Sequence, residues 1–515
     1  MLPATRQFDA AVRIVTELRA AGHEAYLAGG CVRDLLLGRE PSDYDVATSA
    51  TPDVVLDLFP RTFAVGAHFG VVLVGTCGEA EAELEDSEYV VTEVATFRSD
   101  GAYSDGRHPD AVRYTKSAEE DVLRRDFTIN GLLLDVERLF PQGLKPGHLA
   151  SQDVRAEART LRDADQDAGP STSQVATNAT CFAQDDKTEE SAQDDRSWIR
   201  AAVIDYVDGV TDLEAGIMRA IGQPSERFEE DHLRMLRGVR FAARFGFELE
   251  AATAAAMQWL AAKTAAVSRE RVRDELTKML TEGHARRAFE LLDETGLLGE
   301  VLPEAARMKG VEQPAQFHPE GDVWQHTLGV LEQLEAGCSM TLAWAALLHD
   351  VGKPAIFRRG AERIRFDGHV DVGVAMAAEI CRRFRFSNDE TRQTLSLVEN
   401  HMRFADAPRM KTSTLMRFFR LEKFAEHLAL HRMDCTAGSG DLAHWEFVRE
   451  RWEQIPEEAV RPVPLVTGRE LIAAGYKPGA RFKEMLRAVE DAQLEGTIAT
   501  EAEALAMIRE QFPVE

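Results

Sequence analysis

Two aspartates one residue apart, Asp43 and Asp45, follow a glycine pair and a cation in Gly29-Gly30-Cys31-Val32-Arg33-Asp34. On an extended strand, side chains at i and i+2 point to one face, so both carboxylates can grip one divalent cation. Ahead of them, bare glycine backbone and the Arg33 guanidinium offer donors to a polyphosphate. Adding a nucleotide to a hydroxyl needs that set: Mg2+ on the reacting phosphate and a cradle for the departing pyrophosphate. Taken alone, the pair also reads as a strand-end turn with two solvated aspartates, so the rest of the chain must arbitrate.

The elements that would position these groups are short. Residues 8–20 predict an amphipathic helix, and Ala25–Ala28 a buried strand running into Gly29. Phe69–Val74 and Tyr89–Phe97 read as paired strands, joined by an acidic connector from Gly78 to Glu88. Glu93 lies on the second of these and is the candidate third carboxylate beside Asp45; its plainer reading is a sheet-edge residue. Arg98–Asp110 is rich in Gly, Ser, Asp and Arg and predicts a mobile loop beside the site. From Asp121 the pattern turns helical.

Between 141 and 200 the pattern fails, with Gln, Asp, Ser, Thr and Ala dominating. Such a segment cannot bury enough apolar surface to offset its ordering entropy, which predicts a disordered insertion with the fold resuming near Ala202. Beyond Asp212 the chain reads as almost wholly helical, with helices near 230–246, 251–263, 269–281 and 285–296. A break at Pro462-Val463-Pro464 leads to a final helical piece.

At 515 residues the chain is too long for one core. Its six cysteines (31, 77, 181, 338, 381, 435) form no CxxC pair, which fits reduced thiols in a cytoplasm. The N-terminus has no basic segment followed by an apolar core, and no apolar run approaches a bilayer span, so neither a secreted nor a membrane protein is expected. The net charge of −27 argues against a nucleic-acid partner only at long range, because a polyanion binds a local patch.

Five short patterns follow in order: Gly29-Gly30-x-Val32-Arg33-Asp34 with Asp43-x-Asp45; Arg124-Arg125-Asp126-Phe127-Thr128-Ile129-Asn130; Asp208-Gly209-x-x-Asp212-Leu213; Glu230-Asp231-x-x-Arg234; and Ser268-Arg269-Glu270-Arg271. Together they resemble the tRNA nucleotidyltransferase and bacterial poly(A) polymerase family, over roughly 20–140 and 200–285. The resemblance implies that Asp43 and Asp45 hold two Mg2+ ions for attack of an RNA 3′-hydroxyl on the α-phosphate. Arg124, Arg125, Asp126 and Asn130 combine cations with short polar groups and suit phosphates and a ribose 2′-hydroxyl; Asp126 also reads as a helix N-cap.

Asp231 and Arg234, at i and i+3, would share one helical face, an acceptor beside a forked donor. Cytosine and adenine both present an exocyclic amine next to a ring acceptor, whereas uracil and guanine present the reverse. The pair therefore complements C and A and leaves buried groups unpaired against U and G. An exposed ion pair has the same spacing; the resemblance implies a protein template for base choice. Arg234, Arg237, Arg240 and Arg244 continue as a basic stripe for triphosphate or RNA backbone, although Arg237 and Arg240 could equally anchor the helix to neighbouring acids.

Farther on, Phe317-His318-Pro319-Glu320, Gln325-His326-Thr327-Leu328 and Leu347-Leu348-His349-Asp350-Val351-Gly352-Lys353 resemble the HD superfamily of metal phosphohydrolases. The resemblance implies metal ligands at His326, His349, Asp350 and Asp434, with His369 and His401 extending the set to a second ion. Imidazole with carboxylate suits Mn, Fe, Ni, Co or Zn.

The expected architecture is α+β: a polymerase-β-like head (1–140, completed by 201–213), the 141–200 insertion, an all-helical neck (214–300), an HD body (301–445) and a helical tail (446–515) for RNA contact or packing. The expected activity is a cytoplasmic, Mg2+-dependent tRNA nucleotidyltransferase that builds or repairs the CCA end from CTP and ATP, with tRNA as partner and no membrane. The rivals are an A-adding enzyme or poly(A) polymerase, and an HD phosphohydrolase acting on RNA ends or nucleotides with an idle head. The sequence carries no signal of oligomeric state.

Overall fold

The computed structural model describes residues 5–63, 70–76, 89–100, 112–139, 197–316, 318–319, 321–359 and 364–513. The chain forms two compact units, Met1–Ala266 and Val267–Glu515. Their boundary falls inside the segment expected as a neck, 214–300.

A mixed sheet organises the first unit. Its strands are β1 (Ala25–Ala28), β2 (Asp45–Thr48), β3 (Thr62–Phe63), β4 (Val71–Thr76), β5 (Val90–Thr96), β8 (Leu133–Leu134) and β9 (Val203–Ile204), in the order β3-β4-β5-β2-β1-β8-β9. A separate hairpin pairs β6 (Arg98–Asp100) with β7 (Val112–Tyr114). Among the described residues of the main sheet only β2 and β5 pair in parallel.

Alternation along the strands sorts the side chains. Leu27, Val46, Val72, Val74 and Val94 join Ile14, Val15 and Leu18 of the helix Arg6–Ala20 in one buried cluster. Ala28, Ala47 and Phe97 join Ala118, Val122 and Leu133 in a smaller cluster. Period two then assigns Asp45 and Glu93, each preceding a valine of the larger core, to the face of the smaller one. The first helix begins at Arg6 because the Thr5 side chain accepts the Phe8 N–H.

Several expectations change. The stretch Arg98–Asp110 is not wholly a loop, since Arg98–Asp100 is a strand; residues 101–110 and the connector 78–88 lie outside the described residues. The fold resumes before Ala202: residues 197–202 are helical, Ile199 is buried in the main cluster and Trp198 packs against it. Those two apolar side chains give this end of the 141–200 segment a core to join, while 141–196 lies outside the described residues. The neck is not purely helical. Gly216 and Gly246 take left-handed conformations that end their helices, and the residues after them, Ile217–Met218 and Glu248–Leu249, pair in parallel.

Among the described residues the second unit is helical apart from the two-residue pairing of Arg358–Arg359 with Ile364–Arg365 and a single bridge between Glu312 and Asp322. The helix Met340–Leu348 is buried nearly all round, and its C-cap is His349. The helix His369–Arg383 opens with His369, the helix Asn388–Asn400 has His401 as its C-cap, and the helix Phe424–Ala437 carries Asp434. The tail has its own small core around Leu471, Met485, Val489, Ala504 and Ile508.

Candidate active site and metal centre

Asp45 opens β2 opposite Ala28, the residue before Gly29, so strand pairing sets the carboxylates beside the glycine turn. The parallel register Val46↔Val94 brings Glu93 alongside Asp45. Asp45 is half-buried and its carboxyl is pushed up to about 7, by desolvation first, then by the charges of Glu93 and Asp43, against Arg125. Glu93, though surface-exposed, is also raised, by desolvation and then by Asp43. Asp43 and Glu93 both raise the proton affinity of Asp45, and such a group of carboxylates could hold a hard cation through oxygen ligands. They are more widely spread than the groups of the second unit, where two His/Asp trios place their ligand atoms within 4.8 Å.

The glycine pair is filled by guanidinium groups. Gly29 has φ +73°, and a Cβ there would stand 3.2 Å from Arg125 Nη1; one on Gly30 would stand 3.5 Å from Arg33 Nη2. Arg33 is buried, pairs with Asp34 at 2.8 Å and donates to Asn130 Oδ1 at 2.6 Å. Arg124 and Arg125 share the buried Asp121, one on each carboxylate oxygen, at 2.6 and 3.0 Å. Asp126 precedes the short turn Thr128–Asn130, whose N-cap is Phe127, so it is not the helix cap itself. It accepts from the Phe127 N–H, the Asn130 amide and the Arg237 guanidinium. Burial pushes its carboxyl up, but Arg237 and the bonds from Asn130 and Arg237 outweigh that and hold it down to about 2.

The structure corrects the reading of Asp231 and Arg234. Asp231 ends the helix Pro224–Glu230 in an extended conformation, and the next helix starts at Leu233, so the two residues do not share a helical face. The Asp231 carboxylate accepts the Leu233 N–H at 3.0 Å, while Arg234 pairs with Glu230 and donates to the carbonyls of Arg227 and Arg124. In the stripe, Arg237 does anchor to an acid, Asp126, at 2.7 Å, and Arg240 is buried with its guanidinium 4.2 Å from the Phe241 ring centroid. The motif Asp208-Gly209-x-x-Asp212 is a brace. A Cβ on Gly209 would meet the Thr128 carbonyl at 2.2 Å, and Asp212 accepts from the Thr128 hydroxyl.

In the second unit, all six predicted ligands converge. His326, His349 and Asp350 form one trio and Asp350, His369 and His401 another, sharing Asp350. Asp434 lies 3.0 Å from His326 Nε2 and 4.0 Å from His349 Nε2. The Nδ1 atoms of His349, His369 and His401 face the carbonyls of Ala346, Phe366 and Val398 at 2.9, 3.1 and 2.7 Å. A carbonyl only accepts, so Nδ1 carries the proton and Nε2 keeps its lone pair. Those three Nε2 atoms are buried without a hydrogen-bond partner. This arrangement suits transition-metal ligation. Burial pushes the His401 imidazole down to about 4, keeping it neutral. Burial works the other way on Asp350 and Asp434, but Lys353 with His349 and His326 holds Asp350, and His326 with His349 holds Asp434, well below the ordinary carboxylate range.

Some organising residues escaped sequence reasoning. Asp121 holds both Arg124 and Arg125, and its i+3 and i+4 spacing was the available signal. Lys353 is buried against Asp350 Oδ2 at 2.6 Å and donates to Gln313 Oε1 at 2.7 Å. Gln313, 40 residues away in sequence, carried no local signal.

Three family models match the chain in order: the poly A polymerase head domain over residues 25–143, the probable RNA and SrmB-binding site of polymerase A over 246–309, and the HD domain over 323–438. A CCA-adding enzyme of Geobacillus kaustophilus is 32% identical over 310 residues, 60% of this chain and 58% of that protein. The chain thus spans little more than half the length of that relative. One from Lactobacillus helveticus is 27% identical over 97% of this chain and 96% of its own. Among solved structures, the Bacillus stearothermophilus CCA-adding enzyme in complex with CTP shares the fold, with a TM-score of 0.65, 24% identity and 98% of each chain covered.

Proposed function

We propose that this chain, which matches in order the poly A polymerase head domain, its RNA-binding segment and the HD domain, builds or repairs the 3′-terminal CCA of tRNA from CTP and ATP. The observation that carries the reading is the trio Asp43, Asp45 and Glu93 beside the Gly29–Gly30 turn. Asp43 and Asp45, helped by Glu93, would hold Mg2+, which when bound supplies charge stabilisation at the reacting phosphate. Oxygen-only donors suit that ion. Arg33, Arg124 and Arg125 bind phosphates, and Asp126 and Asn130 meet the ribose. Asp231 and Arg234 read the base edge: a guanidinium has five N–H donors, so the bonds of Arg234 to Glu230, Arg227 and Arg124 leave donors for it. Arg237 and Arg240 fix this helix against Asp126 and Phe241.

In domain terms the head is 1–140 with 201–213, the neck 214–300, the HD body 301–445 and the tail 446–515. We place the reaction in the cytoplasm; no helix of the described residues is long and apolar enough to cross a membrane. His326, His349, Asp350, His369, His401 and Asp434 form a second centre for divalent transition metals, with hydrolysis of phosphates at RNA ends as the activity it would support. The inward Nε2 lone pairs favour that second activity.

The deciding experiment supplies tRNA ending at the discriminator base with CTP alone, ATP alone or both. CCA addition needs both nucleotides and stops at three residues. Long A-tails without CTP use would make the chain a poly(A) polymerase, and A addition only after a supplied CC would make it an A-adding enzyme.

A further inference from the structure

Phe245 ends the arginine stripe of the helix Leu233–Phe245, half-buried and stacked on Phe241 with centroids 6.2 Å apart and an interplanar angle of 17°. Three guanidinium carbons approach its ring centroid: Arg33 at 4.5 Å, Arg39 at 5.3 Å and Arg244 at 5.6 Å. They come from the helix after the glycine pair, the turn that follows it, and the arginine stripe. All three charges therefore lie within about a Debye length of one another, roughly 10 Å at 0.1 M salt, where their repulsion is not fully screened. The Arg244 charge is felt at the buried Arg33, whose proton affinity is lowered by desolvation first and by Arg244 as well. Asp34 already pairs with Arg33 at 2.8 Å, and the ring is a second hold on that guanidinium, gathering Arg39 and Arg244 beside it. The negative face of an aromatic quadrupole can hold them together, and an anion can neutralise them.

We propose that Phe245 is a positioning residue that gathers Arg33, Arg39 and Arg244 into a phosphate-binding subsite, taking either the triphosphate of the incoming nucleotide or the phosphodiester backbone of the RNA. The subsite deepens the nucleotidyltransferase reading and rests on it. Arg33 ties it to the carboxylate site, because the same guanidinium lies against Gly30 and bonds Asn130. Arg39 is exposed, so it offers its donors to solvent-borne phosphate while its charge stays over the ring.

The test uses the full-length protein with CTP, ATP and a tRNA lacking CCA. Phe245→Leu keeps an apolar side chain without the quadrupole. It is expected to raise one KM roughly fivefold, on the scale of the exposed cation–π energies it removes, while kcat stays within about twofold. A higher nucleotide KM assigns the subsite to the triphosphate; a higher tRNA KM, with a shallower salt dependence, assigns it to the RNA backbone. Phe245→Tyr restores the wild-type value, and Arg39→Gln, which leaves the core untouched, moves the same KM in the same direction. Unchanged KM values in Phe245→Leu, a loss confined to kcat, or a tyrosine variant no better than leucine each overturn the proposal. If the wild-type chain incorporates no nucleotide, the nucleotidyltransferase reading itself fails. Titration with tripolyphosphate and with tRNA then tests the subsite separately: weaker binding by Arg39→Gln supports it, and equal binding overturns it.

Discussion

Glu93 stands beside Asp45 across the one parallel pairing of the main sheet, each a residue ahead of the valines that pair. Glu93 raises the proton affinity of Asp45, and Asp43 raises that of both, so on the proposed function removing Glu93 should weaken the hold of Asp45 on a cation. Glu93→Gln is expected to slow single-turnover nucleotide addition by at least about a hundredfold, some 3 kcal/mol of barrier. Asp43→Ala abolishes addition and spares any phosphohydrolase activity, whereas Asp350→Ala does the reverse. A Glu93→Gln enzyme running at the wild-type rate would return Glu93 to the role of a sheet-edge residue.

Asp126 links the cradle to the arginine stripe, and its charge is stabilised on folding. Its carboxyl is held at about 2 against an ordinary 3.8. The stabilisation is therefore complete above pH 3.8 and disappears as pH falls through 2; it amounts to about 2 kcal/mol. Urea unfolding of wild type and Asp126→Asn should differ most near neutral pH, and the gap should close below pH 4. A gap independent of pH across that window would mean that Arg237 does not stabilise the Asp126 charge.

Gly352 lets the turn after His349-Asp350 touch the next ligand helix. A Cβ there would stand 2.2 Å from the His369 carbonyl and 2.6 Å from the Gly373 nitrogen, both backbone atoms that cannot rotate aside. Gly352→Ala should push His369 away from Asp350 and weaken one of the two metal positions. Counting Mn2+ bound per chain by equilibrium dialysis tests this, with fewer ions expected than in wild type. Equal stoichiometry and affinity would show that His369 does not share an ion with Asp350.

His427 is buried, stacks on Phe424, and neither ring nitrogen has a hydrogen-bond partner among the described residues. Burial pushes its imidazole down to about 4 from 6.5. A histidine held neutral contributes nothing adverse above pH 6.5 but destabilises progressively as pH falls towards 4, by up to about 3 kcal/mol. His427→Leu should lose less stability than wild type on acidification over that range, the difference being the His427 share, because His401 and His431, also held down to about 4, titrate in both proteins. The leucine variant should also be more stable at pH 7, because two unpaired buried nitrogens are gone.

Motifs carried much of this molecule. Asp43-x-Asp45 and His349-Asp350 stood out by residue type and spacing, and the place of Glu93 beside Asp45 was legible from strand period. The helical face shared by Asp231 and Arg234 was misread because no glycine or proline marks the break between the helices Pro224–Glu230 and Leu233–Phe245. The signal was Asp231 itself, a residue type that accepts N–H groups at helix starts, as it does from Leu233. Gln313 and the Arg39–Phe245 approach depend on chain segments far apart in sequence, so spacing could not reveal them.

The antiparallel register Leu133↔Ile204, Leu134↔Val203 has a consequence for how this chain can vary. Everything from Asp135 to Ala202 leaves and re-enters between two hydrogen-bonded neighbours, so its length does not set the strand alignment. The pairing of β8 with β9, next to β1, thus keeps the sheet that carries Asp45 aligned whatever the length of chain between those two strands.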